Sequence, residues 1–459
     1  MRHLDRKWIG LIFAALMIVT CGILELTRAS SKLPLEGACL LLAALVLWMT
    51  EALPMSITTM FMICMLAAFN IMSFDEAVAN IGVNTSLFIM ASSGITIAVA
   101  GSNLPYFMTR AIVARTEGNP IKMVIGLGFL ISICSAFMSS LATCALFYGI
   151  ISSMLTDNGY RPGESNLGRC LMIAIPACAG IGGFMSPAGT PANILLIDVL
   201  NSNGVSIAFG KWCVIGFPMG LLAVGVFLAA LVMVFHPEKF ILQQGESATA
   251  VKVWRSDDLK TAGIVIAIIV FWFLSSWIRS LNTTMIAVIG LFIMFLPGIK
   301  LMNWEKFSTG VNWDLVLTMG TVSVLMNGIS KTGLMSIITS SITNYISGCS
   351  VVFALIIVSL TVCVIRAFVP TTTAVVALLA PMLIEVSALR GISVASLLFI
   401  LAFWTASALL VVYTEPIYLI TFSSKYYRGS DLLKVGTLPC LILACLTAFI
   451  IPILVKLII

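Results

Sequence analysis

Phe74-Asp-Glu-Ala-Val-Ala-Asn-Ile-Gly-Val-Asn84 runs into the apolar stretch Thr-Ser-Leu-Phe-Ile-Met. About 230 residues later, Trp304-Glu-Lys-Phe-Ser-Thr-Gly-Val-Asn312 runs into Trp-Asp-Leu-Val-Leu-Thr-Met. Each copy sets an aromatic residue, an acidic residue and Gly-Val-Asn before a long apolar helix. Upstream, Thr58-Thr59-Met60 and Thr283-Thr284-Met285 stand at nearly the same offset. Downstream, each copy holds a hydroxyl-rich island in an apolar run: Met138-Ser-Ser-Leu-Ala-Thr-Cys144 and Val369-Pro-Thr-Thr-Thr-Ala-Val375. Weak internal symmetry, with hydrophobic segments interrupted at matching places, is the sequence mark of a secondary transporter. Chance likeness between apolar segments would not keep three landmarks in one order.

Composition sets the solvent. Hydrophobic residues make up 60% of the 459 and charged residues 10%, against roughly 25% charged in soluble domains; the chain reads as an all-α polytopic membrane protein. The Lys and Arg behind the net charge of +6 are scattered, so no nucleic-acid partner is expected. The stretch Trp8 to Leu26 is too long for a signal-peptide core, lacks a small-residue cleavage site and reads as a first span. Twelve cysteines lie singly in apolar runs without a Cys-x-x-Cys pair, which favours buried, inert thiols over a metal or redox site. The two histidines, His3 and His236, offer no zinc pair and no acid–base group within a span. No enzyme activity is expected, and no cofactor beyond Na+ as a coupling ion.

Apolar stretches of about 20 residues can cross a bilayer. Eleven are expected, near 8–27, 35–51, 54–72, 84–113, 168–202, 212–235, 260–279, 283–299, 312–336, 393–425 and 433–458. Two more, 121–155 and 350–388, are broken by the hydroxyl islands. Their arms read as too short to cross, which makes them re-entrant hairpins; ordinary spans with Ser and Thr bonded to their own helices are the alternative. Arg2, Arg6 and Lys7 precede the first span, and Lys239, Lys252, Arg255 and Lys260 mark the longest polar loop. Six spans separate these basic regions, so both fit the cytoplasmic side, and eleven spans then put the C-terminus outside; Arg28 and Lys32 dissent mildly. The loop divides a first repeat, 1–235, from a second, 260–459, with 236–259 as a cytoplasmic linker. Five principal spans and a hairpin in each make the repeats inverted.

Trp48-Met-Thr-Glu-Ala-Leu-Pro54 and the run Gly180-Ile-Gly-Gly-Phe-Met-Ser-Pro-Ala-Gly-Thr-Pro-Ala-Asn193 carry a family resemblance, with Leu296-Pro-Gly298, Trp304 and Lys331-Thr-Gly-Leu334 in support. Over nearly its whole length the chain resembles the divalent anion/sodium symporter family, which carries dicarboxylates, citrate and sulfate. The resemblance implies a substrate carboxylate held at two hairpin tips, sodium held by nearby oxygens, and a homodimer in the plasma (inner) membrane. Residue by residue, it implies substrate contacts at Ser139, Ser140, Thr143, Thr190, Thr371, Thr372, Thr373, Arg366 and Thr414. It implies a cation site at Ser135, Ser139, Ser140, Gly189 and Asn193. The residue types suit these roles: a helix broken at Gly189-Thr-Pro191 frees carbonyls for a hard cation and a positive helix end for an anion. Hydroxyls donate to a carboxylate without burying a permanent charge.

The departures are equally informative. The family's Ser-Asn-Thr tip signature becomes Ser139-Ser140-Leu141 and Thr371-Thr372-Thr373, with both asparagines lost. Its second Thr-Pro-Pro-Asn break becomes Thr414-Glu415-Pro416-Ile417. Arg366 stands in the hairpin arm where the family places sodium-binding oxygens. Ionisable groups at this depth usually face a cavity and pair, so Arg366 and Glu415 form a candidate charge pair in which the guanidinium replaces a second sodium. A snorkelling Arg and a Glu near a loop are the bland alternative. The expected activity is secondary active transport of small organic anions, di- or tricarboxylates, by alternating access with sodium symport or anion exchange. A same-scaffold permease for sulfate, arsenite or a monocarboxylate is the nearest rival. A channel would favour rings of like residues instead.

Overall fold

The computed structural model describes residues 2–26, 33–241, 253–278, 280–337, 349–369 and 371–459. Arg28, Lys32, Lys252 and Pro370 lie outside the described residues, as do the side chains of Arg2, Arg6 and Thr414. Among the described residues every regular element is helical. Among the described residues nine helices are long and apolar enough to cross a bilayer, and four shorter apolar ones accompany them.

The expected spans appear with instructive differences. The stretch 84–113 is two helices, Val83–Ala100 and Leu104–Arg115. The chain turns at Asn103 because its N–H and side-chain amide both donate to Asp258, at 2.8 and 3.2 Å. The first island separates Pro120–Phe137 from Ser140–Asp157, and the second separates Val351–Arg366 from Thr372–Arg390. These arms are longer than the sequence reading allowed. An 18-residue helix reaches about 27 Å, so arm length by itself does not make them re-entrant. The spans 168–202 and 393–425 are broken as expected, into Asn166–Phe184 with Pro191–Ser202 and Val394–Ala406 with Pro416–Phe422.

Packing follows one reciprocal scheme. Met55–Ala68 lies against Trp313–Lys331, while Thr283–Phe295 lies against Val83–Ala100. Pro120–Phe137 packs on Asn166–Phe184, as Val351–Arg366 packs on Val394–Ala406. Pro191–Ser202 meets Thr372–Arg390, and Pro416–Phe422 meets Ser140–Asp157. Glycines let backbones close up where side chains would not fit. A Cβ on Gly182 would lie 2.3 Å from the Ser132 carbonyl oxygen, and one on Gly180 2.7 Å from that of Ala406. Aromatic side chains lock the same centre: Trp212 Nε1 donates to Phe184 O at 2.9 Å, and Phe184 stands edge-on to Phe403 at 5.3 Å.

Candidate functional site

Each helix break has a local cause. Asn166–Phe184 ends in Gly182-Gly183, and the chain crosses Met185–Thr190 before Pro191 restarts a helix, a position where its missing N–H costs nothing. The crossing is stapled: Asn193 Nδ2 donates to Gly183 O at 2.9 Å and Ser186 O at 2.8 Å, and Ser186 Oγ donates to Ala136 O. The second break runs from Ser407 to Glu415, with a short 3₁₀ turn at Val412–Thr414, and Pro416 restarts the helix.

Both hairpin tips and both breaks surround one cavity of about 380 Å³. Ser140, Pro191, Thr372 and Pro416, the first residues of four helices, all line it. Four helix N-termini, the positive ends of their dipoles, thus border the same space. Of the residues expected from sequence, Ser139, Ser140, Gly189, Thr190, Thr372 and Glu415 line the cavity. Thr143, Thr371, Thr373 and Arg366 are not among its lining residues. Neighbouring helical positions differ by about 100° in direction, so Thr372 faces in while Thr373 is buried in packing. The hydroxyl oxygens of Thr143 and Thr371 are buried with no hydrogen-bond partner among the described residues.

Other lining residues had not been singled out from the sequence. Ser92, Ser93 and Thr96 on Val83–Ala100, Thr405, and Asn312 of the second Gly-Val-Asn motif all contribute. Thr96 Oγ1 accepts from the Ser139 N–H at 3.3 Å, joining that helix to the first tip. Their signal was a Ser-Ser-x-x-Thr pattern, which puts small hydroxyls on one face of an apolar helix.

Arg366 lies behind the cavity wall, 1% exposed. Its Nε donates to Thr405 O at 3.1 Å and its Nη1 to Val369 O at 2.8 Å, so the guanidinium ties the second tip to the second break. Its Nη2 forms an ion pair with Glu415, which lines the cavity.

The first-site oxygens have the chemistry of a hard-cation cradle. Asn193 Oδ1 is buried with no hydrogen-bond partner. A Cβ on Gly189 would lie 2.5 Å from Gly183 O and 2.8 Å from Ser135 O, so carbonyls close around the space that a glycine leaves. Ser135 Oγ donates to Ala179 O at 2.6 Å and to Ser140 Oγ at 3.2 Å, and Ser140 Oγ reaches Gly189 O at 3.4 Å. Neutral oxygens of this kind suit sodium better than a transition metal. Among the described residues no cluster of His, Cys, Asp or Glu could hold a metal ion.

Comparison with known proteins shows the family. The family model of the sodium:sulfate symporter transmembrane region matches residues 5–458. A transporter of Haemophilus influenzae is 22% identical over 417 residues, 88% of each chain. A sodium-dependent dicarboxylate transporter of Staphylococcus aureus is 22% identical over 357 residues, 71% of this chain and 68% of its own. An inorganic phosphate transporter of Saccharomyces cerevisiae is 25% identical over 393 residues, 81% of this chain but 40% of its own. Among solved structures, the YdaH transporter of Alcanivorax borkumensis shares the fold at a TM-score of 0.58 and 12% identity, over 83% of this chain and 87% of its own. The chain is a multi-span membrane transporter, not an enzyme, and belongs to the sodium:sulfate symporter family.

Proposed function

We propose that this chain is a secondary active carrier of small organic anions, di- or tricarboxylates, working by alternating access with one sodium at the first site. The carrying observation is the convergence of four helix N-termini and two hydroxyl tips on one cavity. Aligned peptide dipoles stabilise an anion there, and Ser139, Ser140, Thr190 and Thr372 supply neutral donors that can leave it again. Ser135, Ser139, Ser140, the Gly189 region and Asn193 would hold the sodium, whose positive charge would lower the cost of bringing a carboxylate to this depth. The reciprocal packing supports two inverted repeats, 1–235 and 260–459, joined by a cytoplasmic linker at 236–259. Tips that meet mid-span helix breaks support re-entrant hairpins. With the N-terminus cytoplasmic in the plasma (inner) membrane, Trp313–Lys331 begins on the inner side, and the cavity reaches Gly310 and Asn312 at that end.

The test is counterflow of labelled succinate, citrate, sulfate and phosphate in proteoliposomes, with and without sodium. Saturable carboxylate counterflow is expected. Counterflow of phosphate or sulfate alone would select the oxyanion reading that the yeast relative favours, and non-saturable flux would refute the carrier.

A further inference from the structure

Among the described residues lining the tip cavity, Glu415 is the one ionisable side chain, and it is an acid. A site for anions is thus walled by a carboxylate. Like charges repel, and the more strongly where water is excluded. A dianion therefore meets, in that wall, an ion pair of zero net charge.

The surroundings offer one relief. Arg366 donates to Val369 O and Thr405 O and forms an ion pair with Glu415. It keeps its proton at any physiological pH. The elements packed around the pair bring Tyr418 and Tyr427, with Cys144, Cys178, Cys363 and Cys440. Phenols and thiols of this kind are uncharged near neutral pH. Within this ring, the charge state of Glu415 is the variable one.

We infer that Glu415 is the loading site of a coupling proton that crosses with the anion, an inference that rests on the carrier reading above. A proton from the water reached by the cavity binds a Glu415 carboxylate oxygen. The ion pair is neutralised on the acid side, and Arg366, still anchored through Nε and Nη1, keeps its positive charge behind the wall that the substrate carboxylate meets. On the far side the substrate leaves, Glu415 gives its proton to that water, and the pair re-forms. No covalent bond other than O–H is made or broken. The Arg366–Glu415 pair changes from net zero to +1 on loading, so a dianion with one sodium and this proton crosses without net charge.

The experiment uses the full chain in proteoliposomes loaded with the pH dye pyranine, with labelled succinate as probe and the potential clamped. Wild-type uptake should acidify the lumen, and each unit of inward-directed pH gradient should raise the limiting accumulation about tenfold, as one coupled proton requires. In Glu415→Gln, whatever rate remains, uptake should ignore the gradient and cause no acidification. Glu415→Asp keeps a carboxylate and should keep both responses, which guards against a Gln variant that does not fold. Net wild-type succinate uptake without acidification would overturn the inference and, with saturable counterflow retained, leave the carrier reading standing. Gradient-driven uptake persisting in Glu415→Gln would overturn it too. Absence of any anion counterflow would overturn both.

Discussion

Replacing Asn193 by Leu separates two jobs that the structure gives one side chain. Its amide nitrogen bonds two buried carbonyls across the helix break, at 2.9 and 2.8 Å. A buried carbonyl stripped of its donor costs about 1–3 kcal/mol, so losing both costs roughly 2–6 kcal/mol. Its amide oxygen, buried and unpartnered, is the proposed sodium ligand. A ligand present at 100 times its dissociation constant stabilises the folded state by about 2.7 kcal/mol. The assay is thermal unfolding of the purified protein in sodium chloride and in choline chloride. Wild type should gain stability from sodium. Asn193→Leu should unfold at lower temperature in both salts, and its sodium increment should vanish. A variant as stable as wild type in choline would refute the staple. A retained increment would refute the oxygen as a ligand, and a wild type indifferent to sodium, lithium and potassium would remove the site altogether.

Thr372→Val and Ser140→Ala each delete a donor that lines the cavity. A hydrogen bond to a charged acceptor contributes about 1.5–3 kcal/mol, so apparent anion affinity should fall roughly tenfold or more; unaltered affinity at equal expression would make the tips structural only. Gly180→Ala drives a Cβ to 2.7 Å from Ala406 O, an overpacking that should cost about 1–3 kcal/mol; a melting temperature equal to wild type would show that the two breaks are not in rigid contact. Thr85 donates to Asp198, which borders a second cavity of about 860 Å³ at the opposite end from Asn312. Thr85→Val should therefore change the rate at which an impermeant maleimide labels Ser202→Cys on that cavity's wall, and equal rates would show that the contact does not govern access.

Much of this molecule is readable from local chemistry. An apolar composition selects lipid as solvent, and lipid leaves the backbone no partner but its own helix. Within such a chain, Gly189-Thr-Pro191, Thr414-Glu415-Pro416 and the two hydroxyl islands are statements about where helices stop, because glycine, proline and capping hydroxyls act on the backbone beside them. All four interruptions lie where the sequence puts them. Arg366 and Glu415 were also conspicuous, since an ionisable residue in an apolar run demands a partner, and the fold places them together. Which hydroxyls face the cavity was not local information. Thr372 lines it while Thr371 and Thr373 do not, and Ser92, Ser93 and Thr96 join from a helix that belongs to neither tip. The turn at Asn103 likewise depends on Asp258, a partner 155 positions away. That Arg366 stands behind Glu415, leaving a carboxylate as the charge on the wall, is decided by two carbonyls from different segments that hold its guanidinium. The rotational phase of each helix and the neighbour that satisfies each polar atom are set by packing between distant segments, and only the assembled tertiary structure determines them.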